Sequence, residues 1–439
     1  MKTKLEEITK KAQQEPNARF TSLAHHITRE LVWESLCHID KKSTPGVDNI
    51  TVEEAKNTFQ MWIDSMIQSM HHKGYKPSMV KRCWIPKPGR QEKRPIGIPC
   101  IGDRALQRSV STVLTSIYEQ DFLSCSFGGR PNRNAHQALS TLNEIISGKK
   151  VNWVYEADLK NFFGTLNHEW LVKFVEHRIG DPRIISLIRR WLKAGIFEKD
   201  KITIPDLGVP QGGCISVLLS NIYLHYVLDL WFEKVVKPRL KGEAYLIRYI
   251  DDFIVCFQYK EEAIKFQNAL TLRLAKFSLI LEPNKTRLIE FGRFAQTNVG
   301  KRGNKVKTIY FLGFTHYCST NKNGNFKLGR KTEKTRFQKG MQKIKTLTKE
   351  MMHFPIKVQV KRINQYLRGH YNYYGLGGNF QALNRTYYYT IRIWKTMLGR
   401  RSQKGYVKWE KFKLIIESNA ILKPSLNIPY TKMKDLVIL

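Results

Sequence analysis

Apolar and small side chains in the first 75 residues fall at helical spacing. Leu31, Val32, Ser35 and Leu36 share one face, the turn Thr44-Pro45-Gly46-Val47-Asp48 follows, and a second helix runs from about Glu53 to Met70. Residues 1–75 are therefore expected to form a helical N-terminal extension. From 76 to 150 the pattern shifts to short strands broken by Pro and Gly, as in Trp84-Ile85-Pro86-Lys87-Pro88-Gly89 and Arg94-Pro95-Ile96-Gly97-Ile98-Pro99, then to a helix from Asp103 to Tyr118. Proline cannot donate to a ladder, so these strands are expected at a sheet edge or in a flap. The β-branched and aromatic run from Val151 to Asp158 predicts a buried strand ending in a carboxylate. From Tyr245 to Phe257, two apolar half-runs flank Asp251-Asp252, the pattern of a hairpin with acids at its tip.

Beyond about residue 330 the period becomes helical again. Phe337, Met341, Ile344, Leu347 and Met351 recur at three and four, as do Val360, Ile363, Leu367, Tyr371 and Tyr374, and then Phe380, Leu383, Tyr387, Ile391, Trp394 and Leu398. The second helix stops at Gly375 and Gly377-Gly378. No internal repeat or low-complexity segment interrupts the chain.

Charge changes this picture. The 74 Lys and Arg against 37 Asp and Glu give a formal +37, while 42% hydrophobic residues exclude a disordered chain. Residues 291–439 hold 31 of the basic and 5 of the acidic side chains, a net of +26, which leaves 43 and 32, a net of +11, for residues 1–290. Such a balance points to a phosphate backbone as partner, gripped by the last third. No apolar run is long enough for a membrane span, and the N-terminus lacks the core of a signal peptide, so a cytoplasmic protein is expected. Cys37, Cys83, Cys100, Cys125, Cys214, Cys256 and Cys318 have no paired spacing and read as small core residues.

Two adjacent aspartates in apolar surroundings repel each other and lose hydration, so something must compensate. A hard divalent cation does so through carboxylate oxygens. If the two strands are neighbours, Asp158 supplies a third carboxylate. Such a triad suits two Mg2+ ions that act on a 3′-hydroxyl and on a leaving pyrophosphate. The predicted metal set is Asp158, Leu159, Asp251 and Asp252, with the three aspartates catalytic.

The string Arg248-Tyr249-Ile250-Asp251-Asp252 resembles the catalytic hairpin of reverse transcriptases. Ala157-Asp158-Leu159-Lys160-Asn161-Phe162-Phe163, with Asn167-His168, resembles the first aspartate motif of the group II intron subfamily. Gly208-Val209-Pro210-Gln211-Gly212-Gly213-Cys214-Ile215-Ser216 and the following Leu218-Leu219-Ser220-Asn221-Ile222-Tyr223-Leu224 are similar to that subfamily's nucleotide-site motif. Ser126-Phe127-Gly128-Gly129-Arg130-Pro131, Ala135-His136 and Phe311-Leu312-Gly313-Phe314 fit in the expected order, and the likeness runs from about Thr44 to about residue 398.

The resemblance implies roles. Phe163 would lie under the incoming sugar and exclude a 2′-hydroxyl, Gln211 would bond the nucleotide, and Gly212 and Gly213 would let backbone approach it. Lys87 and Arg94 would grip triphosphate and template, and Lys285 would approach the pyrophosphate and protonate it. Tyr249 and Ile250 would seat the primer end, and Lys331, Lys334, Arg336, Lys339, Lys343 and Arg368 would clamp the nucleic acid. Of the many tyrosines in the last third, about half are expected in helix core rather than stacked on bases.

The sequence departs from the family in places. Ile250 stands where intron-encoded members mostly carry Ala, Gly129 where Phe is usual, and Gly164 where many relatives have another acid. Ile250 resembles group II-like enzymes that have lost their intron, some associated with DNA repair. No paired-cysteine and histidine pattern of an endonuclease follows.

The expected fold is α+β, a right-hand polymerase. Fingers and palm span 76–315, with an antiparallel palm sheet, a helical maturase-like thumb spans 316–400, and a basic C-terminal segment spans 401–439. The expected partners are an RNA template, a DNA or RNA primer, deoxynucleoside triphosphates and a group II intron RNA, with no membrane. The expected activity is RNA-directed DNA polymerisation. A repair polymerase that anneals and fills short overlaps, and a maturase that holds intron RNA for splicing, are the alternatives.

Overall fold

The computed structural model describes residues 2–86, 93–199, 201–210, 212–402 and 405–439. The chain opens with α1 (Lys2–Gln14), α2 (Arg29–Cys37), α3 (Val52–Asn57) and α4 (Phe59–His71). Thr28 caps α2, and Thr51 with Glu54 forms a capping box on α3. The single helix expected from Glu53 to Met70 is therefore two, broken at Thr58, whose hydroxyl donates back to the Glu54 carbonyl at 2.9 Å. Next come the strands β1 (Val80–Pro86) and β2 (Lys93–Ile98), then the helices α5 (Ile101–Asp121) and α6 (Ala135–Gly148). The expected face of α2, Leu31, Val32, Ser35 and Leu36, is buried, and Ser35 meets Ser109 of α5 at 2.9 Å.

The central part holds β3 (Trp153–Asp158), α7 (Phe162–Thr165), α8 (His168–Arg178), α9 (Pro182–Leu192), β4 (Ile196–Glu198), β5 (Lys201–Thr203) and α10 (Ser216–Leu224). It continues through the π-helical turns His225–Asp229 and Phe232–Val236 to β6 (Ala244–Tyr249), β7 (Asp252–Phe257), α11 (Lys260–Lys276), β8 (Arg287–Glu290) and α12 (Ala295–Lys301). The last third contains β9 (Ile309–Phe311), β10 (Phe314–Thr320), β11 (Phe326–Thr332), α13 (Lys334–Glu350), α14 (Ile356–Tyr374), α15 (Phe380–Gly399), α16 (Trp409–Ser418) and α17 (Tyr430–Met433).

Among the described residues three sheets form, in the orders β2-β1-β4-β5, β6-β7-β3-β8 and β11-β10-β9. The proline-bearing β2 lies at an edge, where its missing donor is harmless. The second sheet is antiparallel throughout and buried on both faces. Tyr155, Ala157, Leu246, Phe253 and Val255 enter the core built with the N-terminal helices, while Val154, Ile247, Ile254 and Cys256 enter a second core shared with α6 and β9 to β11. Double burial explains why these strands read as continuous apolar runs. Alternation puts Glu156, Asp158, Tyr249 and Asp252 on the face of the second core.

Several expectations need correction. The segment 316–400 is not helical from its start, because β10 and β11 form a hairpin before α13 begins. The basic segment 401–439 is tied into the fold by apolar anchors. Phe412 and Ile421 join a third core with Trp394 and Leu383, Met433 is buried in the second, and Ile428 pairs with the backbone around Leu376. Its high charge obscured these few apolar anchors. Cys37 and Cys83 are exposed rather than core residues. Among the described residues no helix is long and apolar enough to cross a membrane.

Candidate active site

The register of the second sheet sets Asp252 directly opposite both Asp158 on β3 and Tyr249 on β6. Side chains opposed across antiparallel strands share a face, so the two carboxylates and the phenol form one row. Asp251 stands beside them in the two-residue turn between β6 and β7. Its neighbour Ile250 takes a φ of +60°, a left-handed conformation that costs a β-branched residue about 1–2 kcal/mol.

After Asp158 the chain keeps an extended course, with the Lys160 amide donating to the Ile280 carbonyl and the Glu282 amide to the Asp158 carbonyl, both at 2.8 Å. This pairing delivers the short turn Pro283–Lys285, and the Lys285 ammonium forms an ion pair with the Asp158 carboxylate. Glu156, two residues earlier, is held by Arg287 at 2.5 Å and accepts from the Tyr310 amide at 3.3 Å.

Burial, then the charge of Asp158, raises the proton affinity of Asp251, and Arg94 and Lys285 oppose the shift. Asp252 is pushed up further by burial and by Asp158, Asp251 and Glu156. Acids so placed ionise fully only beside a cation, and carboxylate oxygens suit a hard divalent one. The donor set therefore fits magnesium in its chemistry. Among the described residues, however, no three acidic, His or Cys side chains have closed into a metal-holding group, and Asp158 is turned to Lys285 instead. Leu159 does not belong in the metal set through its side chain, which is buried in the first core, and has only a main-chain oxygen to offer.

The folded protein binds the Asp252 proton more tightly than the unfolded chain does. The stability tied to it is thus present at low pH and is lost as pH rises above the unfolded value near 3.8. Asp252→Asn removes that cost, so without divalent ions its Tm at pH 7 should exceed the parent's by roughly 2 °C or more. The difference should shrink toward pH 4. Calorimetry across pH checks this, and a lower Tm for the variant would contradict the electrostatic account.

A second group of residues converges from the loop after β5. Asn161, with φ +48°, turns the chain into α7, where Phe162 is buried and Phe163 remains partly exposed, their rings 5.3 Å apart edge to face. The Val209 amide donates to the Phe163 carbonyl at 2.7 Å and the Gly208 amide to Leu166 at 2.8 Å, while His168 Nε2 donates to the Gly208 carbonyl at 2.6 Å. Gly208 has φ +90°, and a Cβ there would stand 2.8 Å from the Phe163 oxygen. At Gly212, φ +120°, a Cβ would meet the Gly97 oxygen of β2 at 2.6 Å. The loop is thereby wedged between the Phe163 turn and the strand that carries the exposed Arg94. Lys87 and Gln211 lie outside the described residues.

Tyr249 packs against the second core and Ile250 against the first. Lys331 on β11, Lys334, Arg336, Lys339 and Lys343 on α13, and Arg368 on α14 are all exposed. Arg336, Lys339 and Lys343 fall at three and four, so they share a face of α13. Of the tyrosines, Tyr371 is buried, while Tyr388 is exposed.

Sequence reading missed the support beneath the hairpin. Arg248 and Asp229 are fully buried and paired at 2.5 Å, with Asn221 and Ser126 on the same guanidinium. A charged residue inside an otherwise apolar strand was the available signal. Gly129, where the family resemblance implied Phe, has φ +70°, and a Cβ would stand 2.2 Å from Val217, so no larger residue fits this course of the backbone.

Comparison with known proteins adds to this geometry. Residues 85–316 match the family described as reverse transcriptase (RNA-dependent DNA polymerase), and residues 337–414 match the group II intron, maturase-specific domain. The chain is 28% identical over 461 residues to the group II intron-encoded protein LtrA of Lactococcus lactis subsp. cremoris, an alignment covering 87% of this chain and 74% of that protein. It is 33% identical over 241 residues to protein YkfC of Escherichia coli (strain K12), covering 53% of this chain and 63% of that one. Similarity to the nuclear intron maturase 4, mitochondrial, of Arabidopsis thaliana is 26% over 133 residues, 30% of this chain and 16% of the other.

Proposed function

Because the chain belongs to the reverse transcriptase (RNA-dependent DNA polymerase) family in its group II intron form, we propose that it extends a primer on an RNA template at the Asp158, Asp251 and Asp252 end of the second sheet. The observation that carries this reading is the register that sets Asp158 beside Asp252 while Gly208 and Val209 dock on the Phe163 turn. In this reading the second sheet is the palm, β2-β1-β4-β5 belongs to the fingers, and α13 to α15 form the thumb.

Asp158, Asp251 and Asp252 would hold two Mg2+ ions, which when bound acidify the primer 3′-hydroxyl and neutralise charge on the leaving pyrophosphate. The protein's own residues do the rest. Tyr249 and Ile250 seat the primer end beside the acids. Phe163 fills the space that a ribose 2′-hydroxyl would need. Arg94 and Lys87 contact the triphosphate, and Gln211 bonds the nucleotide. Lys285 Nζ gives up its contact with Asp158 and delivers a proton to the pyrophosphate oxygen. The test is extension of a DNA or RNA primer on an RNA template with deoxynucleoside triphosphates and Mg2+. Failure of the intact protein to form product overturns the reading.

A second activity, holding intron RNA for splicing, is favoured by the match over residues 337–414, and it uses the same exposed cations. Lys331, Lys334, Arg336, Lys339, Lys343 and Arg368 would neutralise phosphates. Replacing Arg336, Lys339 and Lys343 together by Ala should flatten the slope of log Kd against log salt by about 0.7–0.9 for each phosphate no longer neutralised, roughly 2 to 3 in total. An unchanged slope in filter binding would place the nucleic acid on another surface.

A further inference from the structure

We propose that Arg248 is a positioning residue for polymerisation, holding the left-handed Ile250 turn so that Asp251 and the primer end keep one geometry. The inference rests on the polymerase reading above and adds to it a device in the protein interior. Ile250, with φ +60°, occupies a conformation that its branched side chain disfavours. Such a turn persists only where its surroundings impose it. Arg248 supplies the restraint, since one of its terminal nitrogens donates to the Ile250 carbonyl at 3.0 Å.

The rest of the guanidinium is committed to fixed groups. Nε donates to Asp229 at 2.7 Å, and a terminal nitrogen reaches the other oxygen of the same carboxylate at 2.5 Å. The remaining contacts are Asn221 at 2.9 Å and Ser126 at 2.8 Å. Asp229 arrives on the π-helical turn His225–Asp229, an irregularity of the kind often found at functional sites. Asn221 passes the restraint on by donating to the Gly128 carbonyl at 2.8 Å. Gly128 is the floor of the turn, because a Cβ there would lie 2.7 Å from the Ile250 nitrogen. The same loop is stitched to β6, the Arg248 amide donating to Cys125 at 2.8 Å and the Phe127 amide to Arg248 at 2.9 Å.

Both members of the ion pair have 0% exposed side chains. A buried pair of this kind adds little stability over an apolar replacement, so stability alone gives weak reason for it. Its one contact with the turn beside Asp251 supplies a different reason. Lysine cannot replace it, because an ammonium lacks the planar fork that spans Asp229, Asn221, Ser126 and the turn together.

The test is a double-mutant cycle of Arg248→Lys and Ile250→Gly, read as kcat for primer extension and as primer–template Kd. Glycine takes a positive φ without strain, so it removes the need for the restraint. Arg248→Lys should lower kcat by about 10- to 100-fold, the scale of a misplaced reacting group, with Kd within about threefold of the parent. In the Ile250→Gly background the same substitution should cost at least tenfold less, a coupling that a purely structural role would not produce. Equal losses of kcat in both backgrounds, or a kcat for Arg248→Lys within about twofold of the parent, overturn the proposal. Should Arg248→Lys not fold, Ser126→Ala removes one bond and leaves the ion pair. It must then show a kcat loss that Ile250→Gly relieves, and its absence overturns the proposal equally. Failure of the parent to extend any primer would instead refute the polymerase reading.

Discussion

Asp251→Asn and Asp158→Asn should each lower Mg2+-dependent primer extension by about 10³-fold or more, with RNA affinity within about twofold of the parent. The two readouts separate because their physical sources do. An amide keeps the size of the carboxylate but is a weak, uncharged ligand, so the acid row loses its capacity to hold a divalent ion. On the proposed reading, affinity comes instead from the exposed cations of β11, α13 and α14. Asp158→Asn has a further expected consequence, since it also frees Lys285 from its ion pair. Single-turnover extension and equilibrium binding on the same primer–template decide the matter. Extension near the parental rate by either variant would remove the catalytic assignment.

The second large effect is on sugar choice. Phe163→Ala should erode discrimination against ribonucleotides by roughly 10²-fold, the scale on which a pocket of fixed shape distinguishes substrates differing by one hydroxyl. Phe163 can act this way because its backbone is anchored. Its carbonyl accepts from Val209, and buried Phe162 packs edge-on against its ring, so the exposed face cannot easily swing aside. Competition between ATP and dATP for incorporation at one template position gives the ratio. If it does not change, Phe163 serves only packing.

Much of this organisation could be read locally. The strand ending at Asp158, the acid-tipped hairpin, and α13 to α15 with their stop at Gly375 lie where the apolar period placed them, because a period of two or of 3.6 is imposed by the nearest few residues. Of the two proline-bearing strands, β2 followed the same logic to a sheet edge, whereas β1 lies inside the sheet between β2 and β4. Where local pattern misled, a distant contact had prevailed. The segment 401–439 was marked only by its basic charge, and Phe412, Ile421 and Met433 anchor it in two cores. The hairpin of β10 and β11 was absorbed into a helical prediction, and in β11 Lys327, Arg330 and Lys331 dilute the alternation.

By itself the sequence determined the identity of many of the elements and the presence of an electrostatic problem, since adjacent aspartates in an apolar run repel each other wherever the strands go. Only the tertiary structure decided which groups answer it. The register of β3 against β7 made Asp158 the partner of Asp252, and the pairing of Leu159 with Leu281 brought Lys285 to Asp158 from 127 residues away. The left-handed turn at Ile250 and its support from Arg248, Asp229, Asn221 and Ser126 join segments up to 122 residues apart. Such contacts arise when several segments are packed at once into a dense interior, and a periodicity set by neighbouring residues holds no record of them.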